Sequence, residues 1–586
     1  MSLYNYFIKK MIKILLLIIL VLTTSPLNIY SIGTSICVLN QNPTLNNTLV
    51  SDYAVLATKI DGTLNQTIIN TFDVDYKTAF TNIYGFLPYN CMNITYPESS
   101  NYNTLRITQN DLVVDSQFPY AIYRVKNENE VRHAIISVNN INTDNSLKIL
   151  VRSGAHDYQG LSSKNNTFII DVKMMNDLHI DKTNNIAMIY TGNTNVNIYT
   201  RLAQNDLTAV LGYSPTVGAG LFHSAGFSPY LRNKGLAING IDAFRVVLPN
   251  GTIVNANKDL NADLFWAIRG GGSGNFGVTI YFNVTTFELP KGAAFFNEKG
   301  VLFANVFLYS ADNFAKIMTV YENQTMIAPD YFEPIIQYKT DFQLGIDVII
   351  FGGYCNGKLL QCVNALEKYT SKFPLPYQTP VFLPVDFYTA WVDVLSGCTP
   401  PVVTFDTETN MYTCTDPLDN YGYYDVVDFV VNEYIDYATA FKIAELVAST
   451  KVNGGKSFIT LSPSNGQVLK KNATDNPFPH RSGKYGILGF VIAGQNLTQF
   501  ETNRDLVKQA FIDLIAPHTT VKYNHNGVNY TFPTMRRDAP FVNNYTKCDL
   551  CRGHYSPANC ERLIGIKNVV DPNDRFSYNY SIPLIC

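Results

Sequence analysis

The sequence has no excess of positive charge: 44 lysines and arginines against 47 aspartates and glutamates leave a formal net charge of −3 over 586 residues. A surface without a broad basic field gives no electrostatic footing for nucleic acid or an anionic membrane. Charged residues are few as well, 16% against 46% hydrophobic, which excludes a disordered chain and points to packed cores. Tryptophan occurs only twice, although tyrosine and phenylalanine are plentiful, and no function follows from that bias. There is no Walker loop, no G-x-S-x-G elbow and no H-E-x-x-H, so the sequence signatures of P-loop nucleotide hydrolysis, the serine-hydrolase elbow and the zincin helix are missing. Internal repeats and low-complexity linkers are also lacking. Long apolar runs are confined to Ile14–Leu22, well short of the ~20 residues that a bilayer span needs.

That run is informative by its flanks. Lys9, Lys10 and Lys13 precede it, and small or polar residues follow as far as Ser31, the pattern of a cleaved secretory signal over residues 1–31. A secreted chain with no membrane partner after cleavage is expected. Ten cysteines, an even set, read as disulfides in an oxidising compartment, with the pairing left open. Cys548-x-x-Cys551-x-x-His554 mimics part of a metal site, but the same argument assigns its cysteines to disulfides, and no metal is expected. N-x-S/T sequons such as Asn165, Asn250, Asn472 and Asn579 fit a glycosylated surface.

The length exceeds one ordinary core and predicts at least two domains. Strand-like runs at 120–125, 147–151, 167–172 and 186–190 alternate with helical spacing at 128–139 and 196–205, an α/β texture. Strands follow at 241–248 and 252–255, then a helix at 259–269, then one long alternating strand over 278–289. Pro290-Lys291-Gly292 marks a boundary. From about residue 293 to 516, strands such as 301–308 and 344–351 and helices such as 311–322 and 434–449 predict an antiparallel sheet with helices. The last seventy or so residues show one periodic element, a helix over 558–569.

Three small-residue segments are candidates for a ligand. Gly272-Ser273-Gly274-Asn275-Phe276-Gly277 is formally G-x-G-x-x-G, yet it follows a helix and precedes a strand, the reverse of a dinucleotide fingerprint. Arg152-Ser153-Gly154-Ala155-His156-Asp157-Tyr158-Gln159-Gly160 follows a strand, where small residues let backbone N–H groups approach a phosphate. Gly212-Tyr213-Ser214-Pro215-Thr216-Val217-Gly218-Ala219-Gly220 is a third such turn.

In order along the chain, these segments resemble the berberine-bridge-enzyme-like group of FAD-linked oxidoreductases, with their vanillyl-alcohol-oxidase type of FAD-binding domain. Arg152-Ser153-Gly154-Ala155-His156-x-x-x-Gly160 is similar to R-S-G-G-H-x-x-x-G, with Ala155 in place of the second glycine. Gly212-x-Ser214-Pro215-Thr216-Val217-Gly218 is similar to G-x-C-P-T-V-G, with Ser214 in place of the cysteine. Asp263 to Gly272 and Gly274 to Val278, Pro477 to Arg481, and the stretch from Tyr555 to Pro583 complete the likeness.

The resemblance implies an α+β fold in which a two-part FAD-binding domain, 32–290 and 521–586, accompanies a central substrate domain, 291–520. It implies FAD joined to His156 through the flavin 8α carbon. Arg152, Ser153, Gly154, Ala155, Asp157, Gly160, Ser214, Val217, Gly218, Gly220, Gly277, Val278 and Asn543 would lie about the cofactor. A disulfide between Cys37 and Cys91 is also implied. Because a hydroxyl is a far poorer nucleophile than a thiolate, Ser214 predicts a single covalent link. Val217 stands where relatives with valine admit oxygen. Plant members use tyrosine bases. Here Phe541-Val542-Asn543-Asn544-Tyr545 departs from their Y-x-N-Y, and Ser228, with Tyr230 close by, departs at a second place. Tyr545 is then the candidate base, with Lys547 as the cation that would lower its phenol from the ordinary ~10. The expected activity is hydride transfer from a sugar or aromatic alcohol to flavin, and from flavin to oxygen with release of hydrogen peroxide. The alternatives are a dehydrogenase with another acceptor, or a secreted flavin- or sugar-binding protein without turnover.

Overall fold

A computed structural model describes residues 27–32, 35–40 and 94–586, with breaks at 142–144, 158–159, 293–298, 309, 341–346, 374–380, 396–397, 399–402, 408, 416–421, 453–456, 482–485, 495, 520–521, 526–527 and 532–545. The chain divides into one unit of residues 1–95 and 133–146 and another of residues 96–132 and 147–586. In the first, Leu27–Ile32 pairs antiparallel with Ser35–Asn40. The rest of the expected signal, the Cys37–Cys91 pairing, Asn543 and Tyr545 fall outside what is described.

The second unit mixes helices with three larger sheets. In one, Thr167–Asp171 runs parallel to both Ala121–Arg124 and Lys148–Arg152. All five residues of that middle strand are buried, as a strand covered on both faces requires. A second, antiparallel sheet orders Ile253–Asn257, Ile241–Val247, Val278–Thr285, Ile186–Tyr190 and Leu178–Asp181. The long strand expected over 278–289 breaks at Thr286, whose N–H donates to Asn185 O at 2.8 Å. Phe287–Glu288 then pairs with Leu207–Thr208 instead.

The third sheet is antiparallel and seven-stranded: Val381–Leu383, Lys299–Leu308, Asp347–Lys358, Phe332–Thr340, Phe458–Ser462, Gly486–Gly494 and Tyr423–Val431. Helices Ala311–Ile327, Leu359–Thr370, Tyr437–Val452 and Leu497–Ile515 contribute to the same apolar core. Their buried residues recur at helical spacing: Phe314, Ile317, Met318 and Tyr321 on the first, Ala440, Ile443, Ala444 and Val447 on the third. Ser310 Oγ and Asn496 Oδ1 cap two of these helices by accepting from Asn313 N and Gln499 N, each at 3.0 Å.

After the break at 532–545, Lys547–Tyr555 forms a helix that the sequence did not announce, followed by Pro557–Val570. Its apolar stripe is too short for a periodic signal, and it starts on a capping box between Thr546 and Asp549. Leu563, Ile564 and Ile566 pack in one core with Phe265, Trp266 and Phe276. Disulfides join Cys355 to Cys362, Cys398 to Cys414, Cys548 to Cys586 and Cys551 to Cys560. Among the described residues no helix is long and apolar enough to cross a membrane.

Candidate functional site

Lys148–Arg152 ends at the candidate histidine loop, and Arg152 anchors that end. Its guanidinium donates to Asp171 Oδ2 at 2.6 and 3.1 Å and to Leu105 O at 2.6 Å, so it holds the strand ends together and does not line the cavity. Ser153 Oγ donates to Thr191 O at 2.6 Å and accepts from Ala219 N at 3.0 Å. Gly154 and Gly218 meet backbone to backbone. A Cβ on Gly154 would stand 2.5 Å from Gly218 N and 2.6 Å from Thr216 O, and one on Gly218 would stand 2.5 Å from Gly154 N. Neither position has room for a larger residue.

Ala155 has φ 54°, the left-handed region that glycine adopts without strain. Asp157 turns back on its own loop and accepts from Leu161 N, Ser162 N and Ser162 Oγ. Gly160 lies farther along, against Val113 and Ser163. His156 Nε2 and Ser214 Oγ are 2.9 Å apart. The histidine loop and the Ser214 turn, 58 residues apart in sequence, thus meet at the two side chains on which the sequence argument rests.

The start of helix Asn195–Ala203 holds the Ser214 turn. Asn195 N donates to Val217 O at 2.9 Å, Val196 N to Pro215 O at 3.0 Å, and Asn195 Nδ2 to Ser214 O at 2.8 Å. These bonds satisfy helix-end N–H groups and fix the turn together. The reversed G-x-G-x-x-G forms a third wall, where Gly272 N donates to His223 O at 2.8 Å. Asn275 ties this turn to the C-terminal segment, for its Oδ1 accepts from Ile582 N at 2.9 Å and its carbonyl from the buried Lys567 ammonium at 2.8 Å. Tyr578 hydroxyl donates to Ser273 O at 2.9 Å.

These loops enclose a cavity of about 370 Å³, within the ~300–1,000 Å³ usual for small-molecule and cofactor sites. Of the residues expected about the cofactor, Ser153, Gly154, Ala155, His156, Asp157, Ser214, Val217, Gly218, Gly220 and Gly277 line it. Val278 is buried behind it, at the start of its strand. Tyr213, Gly272, Ser273 and Gly274, from the other two candidate segments, also line it, as do His223, Phe227 and Tyr578, which were not singled out from the sequence. Burial pushes the His223 imidazole down to about 4, so it is neutral at ordinary pH, and it contacts Ala219 O and Thr279 Oγ1, both at 2.8 Å. Burial, with the Glu333 carboxylate adding to it, holds the Tyr213 phenol well above the usual range.

Two other residues of interest face elsewhere. Lys547 Nζ donates to Ser577 Oγ at 2.9 Å and Ser581 Oγ at 3.0 Å. Tyr230 is buried against Phe287 and Phe387, and burial raises its phenol well above the usual range. Among the described residues no group of three or more His, Cys, Asp or Glu could hold a metal ion. Small residues pressed backbone to backbone, a polar turn and two histidines in the wall, His156 and the buried His223, form a cradle that fits an elongated, phosphate-bearing cofactor better than a metal.

Comparison with known proteins agrees with that chemistry. A family model for an FAD binding domain matches residues 119–257, which contain both the histidine loop and the Ser214 turn. Berberine bridge enzyme-like 2 of Arabidopsis thaliana is 24% identical over 478 residues, 80% of this chain and 84% of the relative. A solved structure of berberine bridge enzyme in complex with (S)-reticuline is similar with a TM-score of 0.70 at 20% identity, covering 88% of this chain and 99% of that one. A chitooligosaccharide oxidase is similar with a TM-score of 0.65 at 18% identity, covering 87% and 100%. With its loops gathered around one cavity, the chain is an FAD-linked oxidoreductase that is similar to the berberine-bridge-enzyme-like group.

Proposed function

We propose that the chain is a secreted oxidase that carries FAD on a single covalent bond to His156 and oxidises a small alcohol, a sugar or an aromatic one. The observation that carries this reading is the place of His156, in the cavity wall between the Gly154–Gly218 contact and Ser214. Bound there, the flavin supplies a two-electron acceptor that passes its electrons to oxygen as hydrogen peroxide. The chain's own residues bind and orient. Ser153, Gly154 and Gly218 bring backbone close enough for a phosphate, and Asn275 with Lys567 locks the third loop. Phe227 and Leu221 add apolar wall that excludes water.

Several features support the finer points. The bonds from Lys567, Tyr578 and Ile582 to the Gly272–Gly277 loop support an FAD-binding domain built from 32–290 and 521–586. The seven-stranded sheet supports a separate substrate domain over 291–520. The signal-like N-terminus and the four disulfides support secretion. Val217 in the cavity wall supports oxygen as the acceptor. Tyr545 remains the proposed base. The two named structural neighbours handle an alkaloid and an oligosaccharide, and a substrate of that size suits this reading.

The test is direct. Acid-denatured protein should stay yellow, His156→Ala should release all its flavin, and an oxidised alcohol should yield peroxide in air. A colourless acid precipitate defeats the covalent reading, and flavin reduction without peroxide defeats the oxidase.

A further inference from the structure

A second cavity lies away from the cofactor site, between the end of helix Ala311–Ile327 and helix Leu359–Thr370. Its volume is about 210 Å³, under the ~300–1,000 Å³ of a cofactor site and suited to a single small ring. Gln324, Gln361 and Asn364 bring three amides to it, each both donor and acceptor, and Lys368 adds one cation. No carboxylate is among the described residues that line it. Tyr331 gives it a fixed aromatic wall: a Cβ on Gly357 would stand 2.8 Å from Tyr331 Cδ2, so the ring lies directly on glycine backbone. Ile327 lines it too, although 73% exposed. Amides beside apolar faces match a neutral sugar ring, which presents hydroxyls at its edge and C–H groups on its faces.

The chain itself offers a point of attachment for such a ring. Asn323-Gln324-Thr325 is an N-x-T sequon. Asn323 is exposed, and it stands one residue before Gln324 and one helical turn before Ile327, on the side of the helix that borders the cleft. We infer that Asn323 carries an N-linked glycan whose first sugar seats in this cleft. The inference rests on the secreted reading above. Attachment joins Asn323 Nδ2 to the anomeric carbon of a lipid-diphosphate oligosaccharide. The bond from that carbon to the phosphate oxygen breaks, the lipid diphosphate leaves, and Nδ2 gives up one proton. The remaining N–H serves the bond to Thr319 O, 3.0 Å away. Thr325 is fully buried and its hydroxyl accepts from the Tyr369 hydroxyl at 2.8 Å, so transfer precedes the folding of this helix. Once the helix folds, the sugar covers Ile327, an apolar side chain otherwise surrounded by water.

The experiment takes protein secreted by a glycosylating host, maps its glycopeptides by mass spectrometry, and times endoglycosidase release from the folded protein site by site. Asn250 and Asn472, exposed sequons on turns, are the internal references. The Asn323 glycan should be released about ten-fold more slowly than theirs, close to the effect of one net hydrogen bond, and denaturation should equalise the rates. Gln324→Ala combined with Asn364→Ala leaves the sequon whole and should bring release at Asn323 to the reference rate. A bare Asn323 beside occupied references overturns the inference and leaves the secreted reading intact. Release at the reference rate from the unaltered folded protein also overturns it, a result that depends on no variant. A chain bare at every sequon overturns both.

Discussion

The loops around the cavity and the seven-stranded sheet keep their shapes by different means. The loops hold by close approach of backbone to backbone and by hydrogen bonds, with Ser153, Asn195 and Asn275 each tying segments distant in sequence. The sheet holds by apolar burial, where Phe303 stacks on Phe332 at 4.5 Å and Phe351 contacts Phe303, Tyr369 and Phe373. A structure of the first kind has no tolerance for an added atom. One of the second kind accepts any well-shaped apolar filling.

The contrast can be broken most severely at Gly218. Gly218→Val puts its side chain into Ser153 Oγ and Gly154, and flavin content, read as the ratio of visible to ultraviolet absorbance, should fall to background. Phe351→Ala in the sheet should do the converse. It should lower stability by about 3–5 kcal/mol in thermal or denaturant unfolding, while the folded fraction keeps its full flavin.

A pH series sharpens the same contrast, because the two regions bury titratable groups of opposite kinds. Burial raises Glu322 and Glu333, both in the sheet region, to about 8 from an ordinary 4.5. Their folded state holds the proton more tightly, so their contribution to stability is full below about pH 4.5 and is lost as pH rises through about 8. His223 in the cavity wall and His480 are pushed down to about 4 from 6.5. Their contribution is full above about pH 6.5 and is lost as pH falls through about 4. Glu322→Gln should therefore flatten the alkaline side of the stability profile and leave its acid side unchanged, as followed by urea midpoints between pH 4 and 9.

The smallest expected effect is at Ala155. Its left-handed backbone costs about 1–2 kcal/mol relative to glycine, and glycine gives part of that back through the freedom of the unfolded chain. Ala155→Gly should stabilise the protein by about 1 kcal/mol and leave the flavin spectrum unchanged.

Much of the site was legible because its residues are set by contacts that only particular side chains permit. Gly154 and Gly218 have no room for a Cβ, and His156 meets Ser214 in the cavity wall. The reversed order around Gly272–Gly277 correctly excluded a dinucleotide fingerprint, yet Gly272, Ser273 and Gly274 still proved to be cavity wall. A turn can face a cofactor without offering a helix end, and periodicity says nothing about which way a loop faces. His223 and Phe227 were missed for the same reason, since each lines the cavity through long-range folding. Strand and helix positions were legible where burial alternates cleanly, as at Ile186–Tyr190, predicted and found with the same limits. Thr286 broke an otherwise unbroken pattern because its backbone found a partner at Asn185, a tertiary choice that local spacing does not encode. The helix Lys547–Tyr555 escaped because cysteines, charges and one leucine give no stripe to read.

One feature of the C-terminal segment bears on how such a protein is made. Lys567 and Tyr578 close the third loop from 292 and 305 residues downstream. While the ribosome is still synthesising the intervening chain, the earlier glycine turns exist without their clamp and have no finished wall to grip a coenzyme. Holoprotein formation is thereby deferred to a late, post-synthetic moment, and a chain cut short before Lys567 would leave the ribosome without the capacity to become yellow.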